Sequence, residues 1–265
     1  MIAGLVEHAE RLQALHAAPE PLILPNAWDV SSALAVTRAG AKAVATTSSG
    51  VAASLGYPDG EAIPAAEMLA AVRRITSAVD VPVTADLEAG YGLPADELVD
   101  RILEAGTVGV NLEDTVRQDG TLVLGPMERH AEWIGAVRAA ARAAGVQIVV
   151  NARIDAFLRG DAPLAELVTD ALRRAAAYVA AGADCVYPIW LVDRDAIGRL
   201  VAEAGAPVNV LLRPGAPGLA ELRGLGVRRI SVGGGLARHA DQHVEELARR
   251  LLHGDDGPFR ELGEA

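Results

Sequence analysis

The chain has 265 residues, 51% hydrophobic and 22% charged, which is enough apolar side chain for a large core and too little charge for a disordered polymer. A formal net charge of −11, with no stretch that gathers lysine or arginine, excludes the basic footprint of a nucleic-acid binder and means that an anionic substrate needs a local cation. Cys185 is the only cysteine, which excludes an internal disulfide or a thiolate metal cage; Lys42, the only lysine, stands before an apolar run where it would open a strand, so a Schiff-base nucleophile is missing from the strand ends.

Residues 1–18 carry Glu7, Glu10 and Arg11 among apolar neighbours, which predicts an amphipathic helix rather than a secretory leader. No run of about 18 apolar residues suggests a membrane span, so a soluble cytoplasmic protein is expected. From there apolar runs alternate with helical periodicity. Strands are predicted at residues 22–26, 43–46, 83–86, 109–112, 148–152, 185–188, 208–211 and 230–232, with helices at 65–79, 96–105, 128–144, 164–181, 195–204 and 239–252 between and after them. Glycines at 40, 106, 182, 205 and 226 stand where helices would end in a left-handed cap and turn back. Eight such units predict an α/β fold, a single (β/α)₈ barrel domain over residues 1–265, with a polar tail at 254–265.

A barrel carries its chemistry at the C-terminal strand ends. After the second predicted strand come Thr46-Thr47-Ser48-Ser49-Gly50, where amides and hydroxyls can cradle an anion or form a simple turn. Asp59 follows in a loop. The third strand ends in Asp86-Leu87-Glu88, whose i, i+2 spacing turns both carboxylates to one side, and the fourth ends in Glu113-Asp114. Crowded acids repel unless a cation neutralises them, and hard oxygens with room for water suit Mg²⁺, with Mn²⁺ as the alternative. Residues 115–124, with Gly120, read as a mobile lid. Arg153 ends the fifth strand, placed to bind a carboxylate, to stabilise an enolate, or to bridge one of the acids. Gly233-Gly234-Gly235 after the eighth strand can cradle a phosphate or simply turn. The six histidines all fall in helices or at their margins, so none is placed as a base at the mouth. Cys185 reads as a small core residue.

As a set, Pro25-Asn26-Ala27-Trp28-Asp29, Ser48-Ser49-Gly50-Val51, Ser54-Leu55-Gly56-Tyr57-Pro58-Asp59, residues 85–92 (Ala85-Asp86-Leu87-Glu88-Ala89-Gly90-Tyr91-Gly92), residues 109–114 (Gly109-Val110-Asn111-Leu112-Glu113-Asp114) and residues 151–156 (Asn151-Ala152-Arg153-Ile154-Asp155-Ala156) resemble the phosphoenolpyruvate mutase and isocitrate lyase superfamily. The resemblance implies that Asp86 holds Mg²⁺ directly while Asp59, Glu88 and Glu113 act through its waters. It makes Ser49, Gly50 and Val51 the carboxylate-binding segment, with Arg153 contacting the substrate. Trp28 and Asn209 complete the candidate substrate-binding residues, and Arg153 and Glu113 are the candidate catalytic pair. It also implies a homodimer or homotetramer that exchanges the last barrel helix. Residues 113–121 lack the Lys-Lys-Cys-Gly-His loop of the lyases and the lysines of the mutases, so neither named activity follows. The shared core implies a Mg²⁺-dependent lyase that passes through the enolate of a small 2-oxo or 2-hydroxy acid; an oxaloacetate-type decarboxylation needs no general base, whereas a retro-aldol cleavage does, with Tyr57 and Tyr91 as candidates. The alternatives are P–C chemistry on a phosphonopyruvate-like substrate, a non-catalytic 2-oxo acid binder, and a sugar-phosphate isomerase built on the glycine run.

Overall fold

The computed structural model describes residues 2–260. Its strands, in chain order, are β1 Leu22–Leu24, β2 Asn26–Ala27, β3 Val44–Thr46, β4 Val83–Asp86, β5 Gly109–Glu113, β6 Thr115–Gln118, β7 Thr121–Leu124, β8 Val149–Ile154, β9 Cys185–Pro188, β10 Asn209–Leu211 and β11 Arg229–Ser231. All but the β6-β7 hairpin pair in parallel. The expected first strand is split at Pro25, which has no N–H to donate to a ladder. β1 therefore pairs with β11, Leu22 opposite Arg229, while β2 pairs with β3, Asn26 opposite Ala45.

A six-stranded sheet, β2-β3-β4-β5-β8-β9, and a three-stranded sheet, β1-β11-β10, result. They succeed one another around a (β/α)₈ ring. One join is the chain itself at Pro25, and the other is a single parallel bridge between Val186 and Val208. The strands are nearly all buried because helices cover the outside of the ring, with Leu98, Ile102, Ile134 and Val137 fully buried against it. The helix Ile2–Ala17 closes the N-terminal end, where Gln13 donates to the carbonyl of Gln147 and Leu12 lies under Gly109.

Helices at Ala65–Thr76, Ala95–Glu104, Met127–Ala143, Leu164–Ala181 and Arg194–Glu203 stand where the periodicity places them, to within a few residues. Gly182, at φ 111, ends its helix in the left-handed cap expected of it. Residues 46–50 are not an open turn; they enter the helix Ser48–Ser54. Residues 115–124 are not an irregular loop either. Asp119 and Gly120, at φ 49 and 81, form the tight turn of an antiparallel hairpin. The final helix is longer than expected, Gly235–Leu252, and buries none of its residues. The predicted tail contains one helical turn, Gly257–Arg260; Met1 and residues 261–265 lie outside the described residues. Among the described residues no helix is long and apolar enough to cross a membrane.

Candidate active site

At the C-terminal ends of the strands lies a cavity of about 660 Å³ whose lining includes Ser49, Asp59, Asp86, Glu88, Glu113 and Arg153. β4 delivers Asp86 as its last residue. β5 and β8 set Glu113 opposite Arg153 in register, which brings carboxylate and guanidinium within 2.5 Å. Asp86 is held from two sides: Oδ2 accepts from the Ser48 amide at 3.0 Å and its hydroxyl at 2.8 Å, and Oδ1 accepts from Asn111 Nδ2 at 3.3 Å. The expected extended Asp-x-Glu geometry is replaced by a turn, with Glu88 at φ 49. Glu88 is pinned nonetheless, accepting from the Glu61 amide at 2.7 Å and from the Tyr91 hydroxyl at 2.9 Å. Glu61 and Tyr91, at φ 58 each, share its left-handed backbone, a concentration of strain that surrounding structure must hold.

The electrostatics follow from crowding. Burial, then Asp86 and Asp59, push the Glu88 carboxyl up to about 7. Asp59 stands on the rim and is also raised, by partial desolvation first and by Asp86 next. Burial lifts Glu113 well above the carboxylate range, against the pull of Arg153. Arg153 also grips Asp155, Nε to Oδ1 at 2.6 Å and Nη2 to Oδ2 at 3.0 Å. Burial opposes its charge, but Glu113 and Asp155 hold it firmly protonated. The expected bridge from Arg153 to the acids is therefore present, and it engages two of them. Three of its five N–H groups hold acids, one on each terminal nitrogen is left over, and the residue lines the cavity.

The opposite side of the cavity is cationic. Arg159, Arg213 and Arg238 line it together with Trp190, Gly233 and Gly234. Gly234 lies against both Ser49 and Arg238: a Cβ there would stand 3.0 Å from Ser49 Oγ and from Arg238 Nη1. The glycine run is thus the strip of backbone that lets these two side chains share the mouth.

Other predicted residues lie elsewhere. Val51 is fully buried and its amide donates to the Thr47 carbonyl within the helix start, so it does not line the mouth. Gly50 is buried beneath Ser49, where a Cβ would stand 2.7 Å from Thr47 Cγ2 and 3.0 Å from Trp28 Cβ. Trp28 faces a separate outer cleft with Ser54, Leu55 and Arg74. Asn209 is fully buried inside the ring, its Oδ1 accepting from Ser231 at 3.3 Å. Asp114 points away from the mouth to Arg174 and Tyr178. Ser48 was expected only as part of an anion cradle, Asn111 and Asp155 stand in the motifs behind the resemblance with no role of their own, and Trp190 and the three further arginines were missed. Arg213 and Trp190 follow β10 and β9 directly, so collecting polar and aromatic residues after every strand would have found both.

Among the described residues no three His, Cys, Asp or Glu side chains close into a ready metal cage. Mg²⁺ asks for less, since it keeps several waters and takes one or two carboxylates. The donors fit it: hard oxygens only, an oriented Asp86, and acids that burial and one another's charge push upward, which a cation would relieve.

The phosphoenolpyruvate phosphomutase family matches the chain over residues 12–252. A Mycobacterium tuberculosis protein of uncharacterised function is 35% identical, covering 94% of this chain and 93% of its own. The 2-methylisocitrate lyase of Salmonella typhimurium is 31% identical over 75% of this chain and 68% of its own. The crystal structure of a candidate phosphonomutase from Burkholderia cenocepacia J2315 aligns with a TM-score of 0.85 at 40% identity, covering 92% of this chain and 99% of that one.

Proposed function

Because the chain belongs to the phosphoenolpyruvate phosphomutase family, within a superfamily of carbon–carbon lyases and mutases, we propose that it breaks the bond beside the carbonyl of a small 2-oxo or 2-hydroxy acid. The observation that carries this reading is the pairing, in one cavity, of an undercompensated acid cluster with a carboxylate-clamped Arg153. Asp86, with Asp59, Glu88 and Glu113 acting through water, would hold Mg²⁺ or Mn²⁺, which when bound would supply positive charge for an oxygen that becomes anionic as the bond breaks.

The chain's own groups do the rest. Ser48 and Asn111 fix Asp86 so that it need not reorganise, and Glu113 and Asp155 fix the plane of the guanidinium. The two free N–H groups of Arg153 donate to the substrate, and Ser49 orients its carboxylate. Tyr57 donates to Glu67 on the surface and Tyr91 to Glu88, so neither hydroxyl is placed as a free base. That favours cleavage that needs no base, such as decarboxylation of an oxaloacetate-type acid, over a retro-aldol step.

Proton and phosphorus NMR of the protein with oxaloacetate, isocitrate, methylisocitrate and phosphonopyruvate, each with Mg²⁺ and with excess chelator, tests this. Metal-dependent pyruvate or glyoxylate is expected, reduced on the order of a hundredfold in Asp86→Asn and Arg153→Lys. Undiminished turnover in Arg153→Lys sinks the assignment. Phosphate or phosphoenolpyruvate from phosphonopyruvate moves it to P–C chemistry, and Mg²⁺-dependent binding of these acids without turnover makes the protein a binder.

A further inference from the structure

Arg229, the first residue of β11, is the largest side chain fully enclosed among the described residues. Its Nη1 donates to His16 Nε2 at 3.3 Å and its Nη2 to Asn111 Oδ1 at 2.9 Å, while its Nε is shut off from solvent with no partner. Among the described residues no carboxylate stands within ion-pair distance of it. Burial presses its pKa downward, yet a guanidinium stays charged inside a protein. A buried cation without a paired acid is strongly destabilising, and an apolar side chain would fill the same space without that penalty.

The charge has one destination. Cys185 and Tyr187, whose ionised forms would reach it, are neutral, each pushed by burial up to about 12. His16 is neutral as well. The ionised group that remains is Asp86, which lies one amide away: Asn111 accepts from Arg229 and donates through Nδ2 to Asp86 Oδ1 at 3.3 Å. The geometry of Asp86 does not need the arginine. Asn151 Nδ2 donates to the same Asn111 oxygen at 2.8 Å and so fixes which way that amide faces. Ser48 holds the other carboxylate oxygen through two donors. What Arg229 alone adds is positive charge, set in a dry interior beneath the mouth where water does not screen it.

We propose that Arg229 is a buried charge-tuning residue of the site. It weakens the hold of the empty mouth on a divalent cation and strengthens its hold on an anionic substrate, so that cation and substrate are retained as a pair. The inference rests on the reading of Asp86 as the carboxylate that holds the cation. It adds that the strength of that hold is set from inside the ring, by a residue that touches neither cation nor substrate.

The test titrates Mn²⁺ into the parent protein and Arg229→Met, following the free ion by electron paramagnetic resonance. Oxalate is then titrated into each Mn²⁺-loaded protein by calorimetry; it is a dianion that chelates a cation through two adjacent oxygens, as a 2-oxo acid does. Arg229→Met is expected to bind Mn²⁺ about tenfold more tightly and oxalate about tenfold more weakly. Affinity for the two together, which carry no net charge, should change little. A lesion of shape alone weakens both, so opposite signs are the signature of charge. Melting curves report whether each variant folds, and Arg229→Gln, neutral and shorter, is expected to follow Arg229→Met and carries the test in its place. Weaker binding of both Mn²⁺ and oxalate in the neutral variants overturns the inference. Unchanged binding of both also overturns it, and leaves the cation reading of Asp86 standing. A parent protein that leaves Mn²⁺ free with or without oxalate removes that reading, and this inference with it.

Discussion

His16 shows how a buried group contributes to the response of the whole protein to acid. Its Nδ1 meets the Leu12 carbonyl at 2.8 Å and its Nε2 faces Arg229 Nη1 at 3.3 Å, a pairing that suits only the neutral ring. Burial first, and Arg229 second, lower its pKa from 6.5 to about 4. Between those values the unfolded chain binds a proton that the folded chain does not. The stabilising contribution is therefore fully present above pH 6.5 and is lost as pH falls through 4. A shift of this size is worth about 3 kcal/mol. Urea unfolding at pH 7 and pH 4.5 should show His16→Gln losing less stability between the two than the parent does. A parallel decline in both proteins would place the acid sensitivity elsewhere. Arg229 is itself of interest, since it is 1% exposed and donates through Nη2 to Asn111 Oδ1 at 2.9 Å. It thereby links the floor of the ring to Asp86 through one amide.

Elements differ in how plainly their sequence announces them. Gly90 lies two residues beyond Glu88 at φ 89, and a Cβ there would stand 2.3 Å from Trp133 Cη2. Gly90→Ala should therefore cost about 2–4 kcal/mol through backbone strain and displacement of the indole, as read from denaturant midpoints. A cost below 1 kcal/mol would mean that the helix Met127–Ala143 can shift to make room. The parallel strands were legible because most are short apolar runs, several of them closed by a polar residue. Asp86, Glu113 and Arg153 were legible for the same reason, as the polar ends of apolar strands. The hairpin was not, because its strands are only partly buried and carry mixed polarity. Only Asp119-Gly120 marks it. The turn at Glu88 was hidden because nothing in Asp-Leu-Glu itself demands a left-handed residue; Glu61 and Tyr91, from separate positions, hold it there.

At the scale of the molecule, the arginine side of the cavity could not be assembled from the chain alone, since Arg159, Trp190 and Arg213 come from three different units and meet only when the ring forms. The final helix is equally a property of the whole. Val244 is 65% exposed, Leu251 49% and Leu252 84%, on a helix that buries none of its residues. Exchange of this helix with a neighbouring copy would cover them. Sedimentation velocity is expected to return a dimer or tetramer, and Leu251→Glu combined with Leu252→Glu is expected to shift it toward monomer. A parent protein that sediments as a monomer would remove the exchange. The two weak joins of the ring lead to a different conclusion. β9 and β10 are tied by one bridge, between Val186 and Val208, and directly above that join Trp190 and Arg213 stack across it. The three-stranded sheet can therefore breathe against the six-stranded one, with the aromatic stack as its latch. Deuterium should enter the amides of β10 sooner than those of β5 and β8. Arg213→Ala, which removes the stack, should hasten that uptake further, so the latch would be legible as stiffness in the wall below it.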